Sequence, residues 1–450
     1  MRRRYVRMGD MAPGGPSEAR SDEARCATAL RRGLETSVPD AVRAALDELA
    51  TPATLAIVEV SAPGEPLAAG RALAHAAALI TEEWPDCVVV GSNAHGVIGG
   101  DASVEMEPAI SVWLAHLPGA RPRGFRLATV PAPHGGLALT GLPELHDDDR
   151  LAILLADPWT LPADEVVAAF ARVDGPLPVV GGLVSGGARR GDSRLLLDGA
   201  VFDNGGVGVV LDEAASLRVV VSQGCRPIGD AMTVTASAGT TMGELAGRPA
   251  LERIREVVAG LDEPDQALAV RGLHVGIARD DRIDGAHAAD YVIRGILGAD
   301  TATGAVTVGD DVPLGSVVRL HLRDADSADA DLRGVMAIVN AGEGQSGCAG
   351  AYLFTCNGRG AAMFTSPDHD ASIVRAGLRA PAVGGFFAAG EIGPVGGANH
   401  LHGFTAVLLI VDRVALPEVA TEVRRPDDAS QGVDADVFDA GLRTLLEPPA

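Results

Sequence analysis

Short apolar runs alternate with helix-like segments through most of the chain. The β-branched run at 54–62 (TLAIVEVSA) predicts a buried strand, the Ala-rich segment 71–84 a helix, and 87–96 (CVVVGSNAHG) a second strand. Before them, apolar positions from Cys26 to Leu49 recur near a helical period and predict one or two helices. The same alternation returns in LAILLADPW, ADEVVAAFARV and PLPVVGGLVSGG. These segments predict an α/β arrangement.

The second part of the chain has a different rhythm. The segment 241–260 predicts a linker helix, with Pro249 near its start and Gly260 at its end. Four short apolar runs then follow within 273–324, at spacings typical of an antiparallel sheet, and a helix-like segment follows at 329–342. We therefore place a domain boundary at the linker helix, before the four apolar runs.

Together the segments predict a mixed α/β (α+β) protein of two pseudo-equivalent halves, with mixed sheets packed together and helices on the outside. A length of 450 residues exceeds what one hydrophobic core normally serves. P-V-V-G-G at 178–182 recurs as P-A-V-G-G at 381–385, which indicates related halves. The alternative is a match by chance, because proline, valine and glycine are abundant in this chain. The predicted divisions are a disordered tail over 1–24, domains over 25–247 and 248–415, and an acidic Pro-rich tail over 416–450.

Charge and composition exclude several functions. The formal net charge of -23 repels phosphate backbones and anionic membranes, so we expect no nucleic-acid partner and no membrane partner. All 37 basic side chains are arginine, which excludes a Schiff-base lysine and the lysine of a P-loop. We expect no cofactor.

The cysteines and the N-terminus predict a cytoplasmic protein. Five cysteines without a C-x-x-C pair are typical of a reduced compartment rather than of a disulfide framework. The N-terminal residues begin with basic side chains but lack the apolar core of a signal peptide, and no later run is long enough to span a membrane.

The segment LFTCNGRG places Cys356, Asn357 and Arg359 in a glycine-flanked turn after an apolar strand. Glycine permits close approach of a ligand, the asparagine can donate and accept hydrogen bonds, and the arginine can hold a carboxylate in a bidentate fork. The alternative is structural: Arg359 pairs with a neighbouring acid, and Cys356 packs as a small apolar side chain.

The segment GGFFAAGEIGPVGGANHLHG surrounds one carboxylate, Glu391, with glycines and places Asn399, His400 and His402 after it. Glu391 could bind an amine, accept a proton or cap backbone amides. A metal site of Glu391 and the two histidines is a weaker alternative, because no fourth ligand is evident.

In the first domain, Ser92 and Asn93 follow a buried strand, and Ser185 follows another. Glycine-rich turns after strands can bind anions through backbone amides. Neither turn has the spacing of a dinucleotide or P-loop motif, and Ser92 lacks the G-x-S-x-G pattern of a nucleophile elbow.

From about Thr51 to Ile410 the chain resembles the FIST family (F-box and intracellular signal transduction). LFTCNGRG, GGFFAAGEIGP and HGFTAVLL match the pattern of its C-terminal domain in order, and the run from 290 to 326 resembles earlier strands of that domain, which adds Arg294 to the candidates. GGLVSGG and VFDNGGVGVVL are similar to its N-terminal domain. The resemblance implies a stand-alone sensory protein that binds small ligands such as amino acids and that acts through a separate signalling partner.

We therefore expect a ligand where Cys356, Asn357, Arg359 and Glu391 converge, and the opposite charges of the arginine and the glutamate would suit a zwitterion. One alternative is an enzyme in which Cys356 is a nucleophile activated by a histidine such as His402 or His369. Another is a scaffold that binds proteins through an exposed face.

Overall fold

The computed structural model describes residues 23–132, 136–172, 175–278, 291–341 and 347–414. The predicted tail over 416–450 lies outside these residues, as does all but the end of the tail over 1–24. The mixed α+β class is confirmed, because the described residues form mixed sheets and packed helices.

The helices are α1 Ser37–Leu49, α2 Pro66–Glu83, α3 Ala163–Ala168, α4 Ala250–Ala259, α5 Glu263–Gly272, α6 Ala325–Ala341, α7 Ala361–Phe364 and α8 His369–Leu378. The first strands are β1 Arg25–Arg32, β2 Leu55–Ser61, β3 Val88–Asn93, β4 Gly96–Gly99, β5 Ala102–Glu105, β6 Ala109–His116, β7 Arg123–Pro131, β8 Leu137–Thr140, β9 Asp149–Ala156, β10 Ala171–Arg172, β11 Gly175–Pro176, β12 Val179–Leu183, β13 Leu195–Leu197 and β14 Ala200–Phe202. The later strands are β15 Gly206–Asp212, β16 Leu217–Ser222, β17 Cys225–Ala238, β18 Thr241–Leu245, β19 Arg248–Pro249, β20 Leu273–Ala278, β21 Tyr291–Asp300, β22 Ala305–Val308, β23 Val317–Arg323, β24 Cys348–Cys356, β25 Val383–Ala388, β26 Glu391–Val395, β27 Ala398–His402 and β28 Ala406–Asp412.

Two of the predicted helices are corrected. The segment expected to be helical from Cys26 begins as strand β1, which pairs antiparallel with β6, and the helix α1 starts only at Ser37. The predicted linker helix starts only at Ala250, because residues 241–245 pair with β17 and β22. In both cases a partner strand distant in sequence overrides a local helical pattern.

Three sheets repeat one arrangement of six strands. The first strand lies antiparallel to the second, the third and fourth strands are parallel to each other, and a hairpin forms the last two strands. The strand orders are β1-β6-β2-β3-β13-β14 in sheet I, β16-β28-β24-β25-β4-β5 in sheet II, and β7-β15-β9-β12-β26-β27 with β8 beside β7 in sheet III. The resemblance expected between two halves thus extends to a third sheet.

The hairpins are exchanged around the three sheets. The hairpin after β3 pairs with β25, the hairpin after β25 pairs with β12, and the hairpin after β12 pairs with β3. The hairpin that completes each sheet therefore follows, along the chain, a strand that belongs to another sheet. Sheets II and III contain strands from both sides of the boundary placed at 247/248, and that boundary stays a prediction.

The repeated glycines have a packing cause. A Cβ atom at Gly91, Gly181 or Gly385 would lie 1.9, 1.9 or 2.1 Å from a backbone carbonyl oxygen of the neighbouring parallel strand. Only glycine tolerates so close an approach. The P-V-V-G-G and P-A-V-G-G segments therefore lead into β12 and β25, which occupy the same place in their sheets, and β3 occupies the third such place.

The inner faces of sheets I, II and III share one core, which includes Ile57, Trp113, Ile153, Phe354 and Leu409. Helices α1 and α2 cover the outer face of sheet I, and α6 and α8 cover that of sheet II. Helix α3 packs on sheet III.

A fourth sheet lies between β16 and α6 in the sequence. Its order is β17-β23-β20-β21-β22-β18-β19, all neighbours are antiparallel, and β17 also pairs with β18, so that six strands close into a ring. The four predicted antiparallel strands of 273–324 are confirmed as β20 to β23. Helices α4 and α5 pack against the apolar core of this sheet IV.

Candidate functional site

The turn after β24 holds Arg359 in a completely buried ion pair. Its Nε and Nη2 atoms donate to the two carboxylate oxygens of Asp370, on the first turn of α8, at 2.8 and 3.0 Å. Asp370 also accepts hydrogen bonds from Thr355 and His369. Burial alone would raise the pKa of Asp370, but the Arg359 guanidinium and these hydrogen bonds hold it well below its usual value. The fork expected to bind a ligand carboxylate is therefore occupied by a carboxylate of the protein.

Glu391 opens β26 and is completely buried. Its Oε2 atom accepts hydrogen bonds from the backbone N and the Oγ1 of Thr405 at 3.0 and 2.5 Å. Burial raises the pKa of Glu391 to about 8, so the carboxyl group is mostly protonated at neutral pH. Glu391 is thus not the anion that was expected to oppose Arg359.

Cys356 lies beside Glu391 at the end of β24. Burial and the neighbouring Glu391 raise the pKa of the thiol far above its usual value, which keeps it protonated. The histidines proposed to activate it have other hydrogen bonds: His369 lies between Asp370 and Asp329, and His402 Nε2 lies 3.0 Å from the Gly393 carbonyl oxygen.

Asn399 and Arg294 connect segments of the fold. Asn399 accepts a hydrogen bond from Val179 N and donates one to the Leu177 carbonyl, both at 2.8 Å, and so binds β27 to the start of β12. Arg294 donates to the Leu401 carbonyl at 2.7 Å and pairs with Asp310 at 3.0 Å. Asn357 is exposed on its turn, and its side-chain oxygen lies 3.8 Å from Cys356 Sγ.

The serines and the asparagine of the first domain lie where the exchanged hairpins depart. Ser185 accepts a hydrogen bond from His95 N at 2.8 Å and donates to the Phe387 carbonyl. Asn93 accepts from Arg194 N at 2.6 Å and donates to the Asp192 carbonyl at 3.1 Å. The structure brings Asn93 and Ser185 together, since Gly186 N donates to the Asn93 carbonyl, and it brings Cys356 to Glu391.

Sequence reasoning missed the partner of Ser92. Its hydroxyl donates to Glu59 Oε2 at 2.6 Å, and Tyr352 donates to Oε1 at 3.2 Å. Burial raises the pKa of Glu59 to about 8. The glutamate inside the apolar run TLAIVEVSA could have indicated this contact, because an ionisable residue in a strand buried on both faces needs hydrogen-bond partners.

The metal alternative is not supported by the placement of its residues. Within the described ranges, the potential ligand atoms that lie close together belong to His146, Asp148 and Asp149, not to Glu391, His400 and His402. Both oxygens of Asp149 already lie 2.6 Å from Arg123 Nη2.

A cavity of about 310 Å³ lies between α4, α5 and the strands β20, β21 and β22. Its walls are mostly apolar, and the polar side chains on them are His274 and Arg323. The lining residues are Leu251, Ile254, Val258, Ala269, Val270, Gly272, Leu273, His274, Gly295, Ile296, Leu297, Gly298, Ala299, Val306, Arg323 and Phe404. Apart from Phe404, these are ordinary strand and helix positions, so the sequence carries no signal for the cavity.

Phe404 connects this cavity with the buried pairs around Arg359 and Glu391. Its ring forms part of the cavity wall, with Arg323 Cζ 4.0 Å from the ring centroid. Its carbonyl oxygen accepts a hydrogen bond from Arg359 Nη1 at 3.4 Å, and the next residue, Thr405, donates to Glu391. Its φ of 60° is in the left-handed region, which is uncommon for a bulky side chain. Phe404 and the next residue thus contact both the cavity wall and the two buried pairs.

Comparison with known proteins matches the FIST N domain over residues 54–248 and the FIST C domain over residues 250–394. FIST domains are sensory domains of signal transduction proteins. The uncharacterized protein Rv0628c of Mycobacterium tuberculosis is 45% identical over 326 residues, which cover 72% of this chain and 84% of the relative. The uncharacterized protein Mb0898c of Mycobacterium bovis is 44% identical over 327 residues, which cover 72% and 83%. In the part of the chain that the structure describes, no helix is long and apolar enough to cross a membrane.

Proposed function

The chain belongs to the FIST family, and from this premise we propose that it is a sensory protein whose small-molecule ligand binds in the cavity beside Phe404. The observation that carries the proposal is the cavity itself. Its volume of about 310 Å³ lies at the lower end of the range for small-molecule sites, roughly 300–1,000 Å³. Apolar walls with few polar groups are also typical of such sites.

Phe404 supplies a path from the ligand to the rest of the molecule. A ligand that contacts the ring biases the backbone at 404, where the carbonyl bonds with Arg359 and the next residue bonds with Glu391. These two side chains lie in the LFTCNGRG and GGFFAAGEIGP segments. A separate signalling protein that contacts the exposed Asn357 turn would then respond to occupancy of the cavity.

Isothermal titration calorimetry on the full chain tests the site, with a panel of amino acids and small carboxylic acids. The variant Gly295→Leu adds a side chain on the cavity wall, at a position where a Cβ atom meets nothing within 4 Å. The matched control is Gly334→Leu on α6, where a Cβ atom also meets nothing within 4 Å.

We expect at least one compound to bind the wild type and the control equally, and to bind Gly295→Leu at least about tenfold more weakly because the added side chain occupies its space. The proposal fails if no compound of the panel binds the wild type. It also fails if Gly295→Leu binds as tightly as the control.

A further inference from the structure

We propose that the ligand of this cavity is an anion with an apolar body and without an amino group, whose acidic group is bound by Arg323. This inference rests on the proposed function, since it takes the cavity as the ligand site. It names a chemical class, the monocarboxylates, that the arrangement around Arg323 favours over the zwitterionic amino acids.

Arg323 ends β23 and is half-buried at the cavity wall. Apart from its stacking on Phe404, its side chain forms no hydrogen bond or ion pair with any residue that the structure describes. Other arginines of the same sheet are engaged: Arg226 pairs with Asp265 and Asp324, and Arg319 donates to the Gly229 carbonyl. The donors of Arg323 are therefore available to a ligand.

The neighbouring acid does not supply the missing partner. Asp324 follows Arg323 directly, but its carboxylate pairs with Arg226 and accepts hydrogen bonds from the backbone N and the hydroxyl of Ser327 at the start of α6. In a chain with 60 acidic and 37 basic side chains, a half-buried arginine without an acidic partner is unexpected. A carboxylate in the cavity would complete a charge-assisted pair, and the Phe404 ring already holds the guanidinium in place.

The same walls disfavour a positive group. The described residues that line the cavity include no aspartate or glutamate. Among these described lining residues the only other titratable group is His274. Burial lowers its pKa and its Nδ1 lies 2.8 Å from the Gly272 carbonyl oxygen, so that it is neutral and donates from that nitrogen. An ammonium group placed here would lose its hydration without gaining a counter-ion.

The remaining surface accommodates a hydrocarbon body. Leu251, Ile254 and Val258 contribute one face of α4, and Val306 on β22 and Ile296 on β21 lie on the strands that also line the cavity. Burial of each additional methylene should strengthen binding by about fourfold until the cavity is full.

The test compares three probes of eight carbon atoms each: octanoate, octanol and 2-aminooctanoate. Binding is measured by calorimetry on the full-length wild type, on Arg323→Gln and on the control Arg255→Gln. Arg255 is exposed on α4, the helix whose other face lines the cavity, so the control removes a nearby charge without altering the wall. Far-ultraviolet circular dichroism establishes that each variant is folded.

We expect octanoate to bind the wild type and Arg255→Gln at least about tenfold more tightly than octanol or 2-aminooctanoate. In Arg323→Gln this preference should fall below about threefold. The inference is overturned if octanol or 2-aminooctanoate binds the wild type as well as octanoate does, if Arg323→Gln keeps the preference, or if no probe binds.

The two proposals fail separately. If a probe binds without the charge preference and binds Gly295→Leu more weakly than the wild type, the anionic nature of the ligand is refuted and the cavity remains the ligand site. Loss of the cavity as a site, in contrast, is seen only when Gly295→Leu has no effect on any compound of the larger panel or when that panel yields no binding.

Discussion

Phe404 lies between two regions that each contain an arginine guanidinium, which is paired with a carboxylate in one region and, within the described ranges, unpaired in the other. Toward α8, Arg359 is completely buried and its fork is filled by Asp370. Toward α4 and α5, the Arg323 side chain stacks on the Phe404 ring, lines a cavity and has no acidic partner among the described residues. The arginine in the conspicuous glycine-rich motif is thus paired within the fold, and the arginine at an ordinary strand end is the one that we propose for ligand recognition.

The difference follows from the cost of burying charge. A guanidinium removed from water needs a partner within the protein, because an uncompensated buried charge costs several kcal/mol. An arginine that remains partly hydrated at a cavity needs no such partner and can exchange water for a ligand. Burial and pairing, rather than residue type, therefore separate the two roles.

The largest effect is expected for Asp370→Asn, which leaves the Arg359 charge buried without a counter-ion. The free energy of unfolding should fall by about 3–5 kcal/mol, as measured by urea denaturation at pH 7. The control is Asp101→Asn, because Asp101 pairs with Arg375 at 2.8 Å on the surface and should cost less than about 1 kcal/mol. Equal losses of unfolding free energy in the two variants would show that the buried pair stabilises the protein no more than the surface pair does.

A dependence of stability on pH is expected from Glu391. Its pKa is raised to about 8, so the folded state binds a proton that the unfolded state releases near pH 4.5, and stability must fall as the pH rises through this interval. The contribution of one such acid is at most about 1.4 kcal/mol per pH unit. Glu391→Gln cannot ionise and should therefore flatten the dependence between pH 5 and 8.

Urea denaturation at several pH values measures this slope. The exposed Glu82→Gln on α2 serves as the control and should keep the wild-type slope. Glu59, whose pKa is also raised to about 8, contributes with the same sign in every variant. A slope unchanged by Glu391→Gln would mean that Glu391 ionises normally in the folded protein.

A small effect is expected for Arg323→Gln in the absence of ligand. The variant loses the stacking of the guanidinium on Phe404 but no described ion pair, so the free energy of unfolding should fall by about 1 kcal/mol or less. The measurement is the same urea denaturation. A loss comparable to that of Asp370→Asn would place Arg323 with the structural charges and end the contrast.

The last prediction concerns alkylation of Cys356, which lies on the same side of Phe404 as the buried Arg359. Because burial and Glu391 keep the thiol protonated, iodoacetamide at pH 7.5 should modify it at least about tenfold more slowly in the folded protein than in urea. Mass spectrometry of the peptide that contains Cys356 measures both rates. Rapid modification of the folded protein would favour the alternative of a cysteine-dependent enzyme.

The sequence predicted the elements that depend on local pattern. Strands such as β2, β9 and β24 are buried on both faces, so their continuous apolar runs were recognisable. The exchange of hairpins was not, because Leu195 pairs with Ser92 and Gly385 with Ile98 across long stretches of chain, and no local pattern encodes such pairing. The strand β1 was mistaken for helix for the same reason.

The turn formed by LFTCNGRG was predicted, but the pairing of its side chains was not. LFTCNGRG does form a turn at the end of a strand, as its glycines indicate. The sequence could not show that α8 turns Asp370 toward Arg359, nor that Arg323 and Phe404 meet at a cavity, because both depend on how separate elements pack. Ligand binding by the predicted residues stays a prediction.

The exchange of hairpins also has a consequence for synthesis on the ribosome. The edge of β12 acquires its partner only when Ile392 has been made, although β12 itself emerges much earlier. Until then the nascent chain exposes an unpaired strand edge, which is a template for aggregation. Sheet I can be completed once Phe202 has been made, whereas sheets III and II are completed only after β27 and β28, respectively, have been made.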